Sequence, residues 1–141
     1  MNYALPQVES VAAALRSHGV IPTAQRVQIG RMVLTRLTHF SAEQLYEEAN
    51  HAGTRVSKAT VYNTLGLFVE KGLLRQVLVD PSRVFYDSNM APHHHFYDVE
   101  TGALEDIDAS EIRIDTLPQP DDGVRIEGVD VVVRIRRVGS E

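Results

Sequence analysis

Ser57-Lys58-Ala59-Thr60-Val61-Tyr62-Asn63-Thr64-Leu65 is the stretch on which the fold turns. With Phe68 and Val69, Val61 and Leu65 make one apolar stripe at helical spacing, and Gly72 marks its end. Lys58, Thr60, Tyr62 and Asn63 lie off that stripe, near the helix N-terminus. Just upstream, Ser41-Ala42-Glu43-Gln44 has the form of a capping box, in which Ser41 bonds the N3 amide and Gln44 reaches back. Phe40 and Leu45 occupy the hydrophobic-staple positions, the helix runs to about Asn50, and His51-Ala52-Gly53-Thr54 is a short turn. A helix, a short turn and a helix with polar side chains at its start make a helix-turn-helix whose second helix fits a DNA major groove. Leu74 to Val79 and Val84 to Asp87 are strand-like runs around Asp80-Pro81-Ser82-Arg83, a turn-rich tetrapeptide. The hairpin completes a winged helix, with Arg83 near the wing tip, where it can meet a phosphate.

Two earlier helices precede this unit. Val8, Val11, Ala12 and Leu15 define the first, ended by His18-Gly19. Pro22-Thr23 opens the second, with Thr23 as N-cap and Val27, Met32, Val33 and Leu34 as its apolar side. Ser88-Asn89-Met90-Ala91-Pro92 reads as a linker, after which the composition changes. Strands are expected at Phe96 to Val99, Ala103 to Asp108 and Val124 to Ile135, with a turn at Asp121-Asp122-Gly123. Ser110 to Leu117 fits either a strand or a short helix before Pro118. The expected domains are therefore residues 1–87, a hinge at 88–92, and 93–141.

The charge supports two modules. Residues 1–87 carry nine Lys/Arg against seven Asp/Glu, a net of +2; residues 88–141 carry five against twelve, a net of −7. At 141 residues, with 43% hydrophobic and 23% charged residues, the chain has globular composition. No apolar run approaches the ~20 residues of a membrane span. The Met1-Asn2-Tyr3-Ala4-Leu5-Pro6-Gln7 start lacks a secretory pattern, so a cytoplasmic protein with no membrane partner is expected. The absence of cysteine excludes disulfides, thiolate zinc and iron–sulfur sites. No nucleophile motif, glycine-rich phosphate loop or His-Glu-x-x-His helix is present, so an enzyme is not expected; a small metal- or haem-binding enzyme is the alternative from another class. A protein–protein adaptor built on a winged helix is a third reading.

His93-His94-His95 is the most unusual feature. On a strand, His93 and His95 point to one side and can share a metal, with His94 facing away. Metal or haem ligation is the reading this triplet supports. Taken singly, Asp87 is better explained as a solvated strand end, Asp106 as one acid among Glu105, Asp106 and Asp108, and His39 as an ordinary turn residue.

These motifs together resemble the ferric uptake regulator superfamily of bacterial metal-dependent transcription factors. The resemblance is carried by Gly19-Val20-Ile21-Pro22-Thr23-Ala24-Gln25-Arg26, by His39-Phe40-Ser41-Ala42-Glu43-Gln44-Leu45-Tyr46, by Ser57 to Leu65 and by the His triplet, in that order over most of the chain. It implies an α+β protein: an N-terminal winged helix-turn-helix and a small C-terminal α/β dimerisation domain. It also implies a homodimer that binds double-stranded operator DNA, mainly as a repressor, and controls iron or haem homeostasis genes. Arg55, Ser57, Lys58, Thr60, Tyr62, Asn63 and Arg83 would face DNA, with Arg55 and Arg83 on phosphates. One divalent metal per subunit would bridge the domains through His39, Asp87, His93, His95 and Asp106. That nitrogen and oxygen set suits Fe2+ or Mn2+ and also accepts Zn2+.

Two departures from the family pattern stand out. Asp98 and Thr101 occupy the first Cys-x-x-Cys pair and the second pair is missing, so no cysteine-based structural zinc is expected. A further His/acid site of some members is broken, with Pro92 and Val129 at its histidine positions and His94 at its central acid. The triplet, the lack of cysteine and Phe96-Tyr97-Asp98-Val99-Glu100-Thr101-Gly102 are most similar to the iron-response-regulator branch, in which haem contacts the triplet; His93, His94 and His95 are its haem candidates here. The five-ligand set equally fits a peroxide-sensing repressor.

Overall fold

The computed structural model describes residues 5–36, 38–80 and 82–139. The chain divides into two compact units, Met1–Met90 and Ala91–Glu141.

Among the described residues the first unit is four helices and a hairpin: α1 (Val8–Ser17), α2 (Ala24–Val33), α3 (Ala42–His51), α4 (Lys58–Glu70), β1 (Arg75–Asp80) and β2 (Arg83–Asp87). Local chemistry sets the helix starts. The side chains of Thr23, Ser41 and Ser57 accept the amides of Arg26, Gln44 and Thr60 at 3.2, 3.1 and 3.1 Å. Each satisfies a donor the first helical turn leaves open. At Ser41 the hydroxyl half of the capping box forms on the Gln44 amide, and the Gln44 side chain helps hold the Glu48 carboxyl below its ordinary pKa. Between α3 and α4, Gly53 takes φ +82° and the Thr54 amide returns to the Ala49 carbonyl at 2.9 Å, which closes the turn.

Leu15, Ile29, Val33, Phe40, Leu45, Val61, Leu65 and Phe68 are wholly buried and join the helices into one core. Two expectations need adjustment. Val8 is exposed, since the core begins one turn later at Val11. Met32 and Leu34 are only half-buried, whereas Ile29 and Gly30 of α2 lie fully inside. Gly30 is there because a Cβ would come within 2.7 Å of Val11 Cγ1. Gly30→Ala is expected to destabilise the protein by ~1–3 kcal/mol through overpacking, despite alanine's better helix propensity. Urea unfolding with and without the substitution checks the sign.

β1 and β2 pair antiparallel from Arg75↔Asp87 to Leu78↔Val84, with an irregular step before Asp80↔Arg83. Within the expected turn tetrapeptide, Pro81 lies outside the described residues, as do Met1 to Ala4 of the N-terminus. A single antiparallel bridge, Phe40↔Tyr86, attaches the start of α3 to β2.

The second unit is a three-stranded sheet of order β4-β3-β5, formed by β3 (His93–Asp98), β4 (Leu104–Asp108) and β5 (Val132–Ile135). β3 is central, antiparallel to β4 and parallel to β5. It starts at His93 rather than Phe96, so the whole triplet is strand. The long strand expected from Val124 shrinks to Val132–Ile135. Val124 and Ile126 alternate correctly but are exposed, with no ladder partner among the described residues. Alternation makes a strand only where another edge accepts its hydrogen bonds. The Asp121–Gly123 turn is present, with the Val124 amide on the Asp121 carbonyl at 3.0 Å. The ambiguous Ser110–Leu117 segment resolves into a 3-10 turn, Ala109–Glu111, followed by irregular chain. Among the described residues this 3-10 turn is the unit's helical content.

Among the described residues no helix is long and apolar enough to cross a membrane.

Candidate metal centre

Strand geometry assembles half of the candidate centre. In β3 the side chains of His93 and His95 share a face, their ring centroids 4.5 Å apart at 65°. Asp106 on β4 is the register partner of His95. Its Oδ1 lies 3.5 Å from His93 Nε2 and 3.4 Å from His95 Nε2. One ligand atom from each of the three lies within 4.8 Å of the others. An ion with bonds of ~2.1 Å spaces neighbouring ligand atoms ~3 Å apart, so a small inward adjustment suffices.

The tautomer of His93 is set for this task. Its Nδ1 is 2.7 Å from the Ala91 carbonyl. A carbonyl only accepts, so Nδ1 carries the proton and the Nε2 lone pair is left to face a cation. His93 is buried and His95 wholly so, while the Asp106 side chain is half exposed.

The first unit carries a matching pair. His39 precedes the Phe40–Ser41 start of α3, and Asp87 ends β2. His39 Nε2 is 3.2 Å from Asp87 Oδ2. The other Asp87 oxygen accepts the Asn89 amide at 2.9 Å. The residues next to the pair hold it in place. Phe40 and Tyr86 exchange both backbone hydrogen bonds, at 3.2 and 2.7 Å, and stack with centroids 5.8 Å apart. Burial pushes the Tyr86 phenol above its ordinary pKa, so it stays neutral. Arg36 grips Glu48 with two hydrogen bonds, at 2.6 and 2.8 Å, lies over the Phe40 ring, and its carbonyl accepts the Ser88 hydroxyl at 2.7 Å. The Arg36 hydrogen bond holds the Glu48 carboxyl below the usual carboxylate range. Arg36, Glu48, Tyr86 and Ser88 were not singled out from sequence. The sequence separation of 12 between Arg36 and Glu48 follows no local periodicity that would have revealed them.

The triplet does not converge on one point. His93 and His95 meet Asp106, while His94 bonds elsewhere, its Nδ1 accepting the Val131 amide at 3.0 Å. At the position of the missing cysteine pair, a carboxylate closes the loop instead. Asp98 Oδ1 accepts the amides of Glu100 and Thr101 at 2.9 and 3.1 Å, and Thr101 Oγ1 accepts that of Ala103 at 3.2 Å. The Thr101 amide, then that of Glu100, holds the Asp98 carboxyl below its ordinary pKa.

On α4, Lys58, Tyr62 and Asn63 are exposed near the N-terminus, as are Arg55 and Ser57 just before it, and Arg83 is exposed at the start of β2. Thr60 is half-buried, and the Ser57 hydroxyl donates to it at 2.9 Å. Lys58 Nζ lies over the Tyr46 ring, 5.7 Å from its centroid, and 4.0 Å from Glu43.

A winged helix followed by a strand unit with a histidine–carboxylate cluster defines the class of protein. The family model of the ferric uptake regulator family matches residues 17–133, and the chain belongs to that family. Its members are metal-responsive transcription regulators rather than enzymes, and this chain is one of them. The chain is 30% identical over 100 residues to the peroxide-responsive repressor PerR of Staphylococcus aureus, covering 71% of this chain and 68% of that one. The ferric uptake regulator of Pseudomonas aeruginosa, solved with manganese, superposes with a TM-score of 0.71 at 25% identity, over 92% of this chain and 98% of that one. The Francisella tularensis ferric uptake regulator, solved with iron, gives 0.66 at 18% identity, over 82% and 90%, which speaks for the fold alone.

Proposed function

We propose that the protein is a dimeric, metal-controlled regulator that binds operator DNA in the cytoplasm and governs iron or haem homeostasis genes. The functional domains are residues 1–87 and 93–141, with residues 88–92 as the hinge. His39, Asp87, His93, His95 and Asp106 hold one divalent ion per subunit. The observation that carries this reading is the His93–His95–Asp106 cluster, in which the Ala91 carbonyl fixes the His93 tautomer. The His39–Asp87 pair supports it from the other unit. Histidine and carboxylate donors without thiolate favour Fe2+ or Mn2+, with Zn2+ as a competitor. The ion supplies a cross-link between a DNA reader and a dimer module, and so a bias between their arrangements. The chain's part is to present the donors. β3 and β4 fix three by register, and the Phe40–Tyr86 bridge fixes two more. Arg55, Ser57, Lys58, Thr60, Tyr62, Asn63 and Arg83 face DNA. Ile114, Leu117, Val124 and Ile126 are exposed on a unit of about fifty residues, which supports burial of these side chains against a second copy.

The test is a gel-shift titration of metal-free protein on its own promoter, adding Fe2+, Mn2+, Zn2+ or haem in turn. A divalent metal is expected to change DNA affinity by at least about tenfold, a coupling of ~1.4 kcal/mol. His39→Ala is expected to remove that change while leaving basal DNA binding. A response unaltered by His39→Ala would overturn the five-ligand assignment, and a response to haem alone would move the sensor away from it. The PerR likeness supports a second reading, peroxide sensing. There, one equivalent of peroxide would oxidise a ligand histidine of the Fe2+ form, seen as a 16 Da mass gain.

A further inference from the structure

We infer that His94 is the latch that seats β5 against the ligand-bearing strand and is not itself a ligand. Its Nδ1 accepts the Val131 amide at 3.0 Å, across 37 residues of chain. A backbone amide only donates, so this nitrogen must offer its lone pair, and the neutral ring carries its proton on Nε2. Binding a metal through Nε2 requires the opposite tautomer. That would set an N–H on Nδ1 against the N–H of Val131 and leave two donors facing each other at a part-buried position. Binding through Nδ1 requires the Val131 bond to break. His93 next door has the reverse arrangement, with Nδ1–H on the Ala91 carbonyl and Nε2 facing Asp106. Two adjacent histidines on one strand are thus held in opposite tautomers by one carbonyl and one amide.

The position of Val131 gives the latch its purpose. Residues 112–131 have no regular structure, and β5 begins at Val132, paired in parallel with His95 of β3. The Val131 carbonyl accepts the His95 amide at 3.1 Å, while its own amide goes to the His94 ring. Both polar groups of Val131 are therefore held by neighbouring histidines, at the point where a long irregular segment joins the sheet. A strand of four residues entered from such a segment gains its register from that anchor. His94 is a positioning residue for β5, and through the shared register it steadies the strand carrying His93 and His95.

The test uses the whole 141-residue chain without metal, so it does not depend on the proposed regulator function. Long-range 1H–15N correlation of the imidazoles is expected to show His94 protonated at Nε2 and His93 at Nδ1. His94→Asn places a carbonyl oxygen near the Nδ1 position and should preserve the latch. His94→Leu should expose the Val131 amide, with hydrogen exchange about 2- to 12-fold faster, the equivalent of one ordinary hydrogen bond. If His94→Leu does not fold, His94→Gln, whose amide sits further out, takes its place against His94→Asn. Mn2+ affinity of His94→Asn should stay within about threefold of the parent, where loss of a true ligand costs far more. A His94 ring protonated at Nδ1, unchanged Val131 exchange in His94→Leu or its substitute, or loss of Mn2+ from His94→Asn would each overturn the inference.

Discussion

Alanine at His95 is expected to weaken divalent-metal binding by more than about 100-fold, because even the outer partners of metal ligands cost 10–100-fold when removed. His95 has the strongest claim on an ion in the second unit. It is wholly buried, and its ring meets both His93 and Asp106. Truncation also opens a hole, so a second variant separates binding from folding. Asp106→Asn keeps shape and half exposure but removes the charge opposite both rings. It should lower Mn2+ affinity strongly while leaving the unfolding midpoint of the metal-free protein within a few degrees. Isothermal titration with Mn2+ reads the first quantity and circular dichroism the second. If both variants bind Mn2+ like the parent, the cluster is not the metal centre. If His95→Ala loses metal while Asp106→Asn keeps it, Asp106 is a neighbour rather than a ligand.

The parts of this molecule that were legible in sequence are those that local chemistry decides. Thr23, Ser41 and Ser57 announce helix starts because capping needs only a side-chain oxygen and an amide three residues on. Gly19, Gly53 and Gly72 announce ends because each takes a positive φ there. Period-two geometry brings His93 and His95 to one face, as a strand reading of the triplet requires. What could not be read directly is tertiary. Which acid of Glu105, Asp106 and Asp108 meets those rings depends on the β3–β4 register, and Asp106 entered through the family resemblance rather than spacing. The nearness of His39 to Asp87 rests on the Phe40↔Tyr86 bridge, which nothing local signals. Val124 to Val131 misled because alternation reports a pattern of burial and not the presence of a partner edge. The role of His94 hinges on a tautomer fixed by Val131, information that exists only once the chain is folded.

Salt will weaken DNA binding steeply, and the slope tests which residues meet the backbone. Arg55, Lys58 and Arg83 are exposed cations on the α3–α4 turn, α4 and the hairpin. Three per subunit make six in a dimer, for which log affinity should fall against log salt with a slope of about −5. Between 50 and 200 mM salt that amounts to a loss of about 10³ in affinity. The net charge of −5 does not oppose this, because residues 1–87 carry +2 and the acids concentrate beyond. Each cation replaced by alanine should lower the slope magnitude by about 2 in the dimer and weaken all DNA sequences alike. Tyr62 and Asn63 should behave differently, since base-edge readers change discrimination between operator and random DNA with little effect on the slope. Lys58 is the sharpest case, because free protein holds it over Tyr46 and beside Glu43. Removing the Glu43 charge frees the ammonium and takes a negative charge away from beside it, so Glu43→Gln should raise affinity at low salt. Fluorescence anisotropy across a salt series measures all of these at once. A flat salt response would remove Arg55, Lys58 and Arg83 from the backbone contacts, and with them the placement of α4 in the groove.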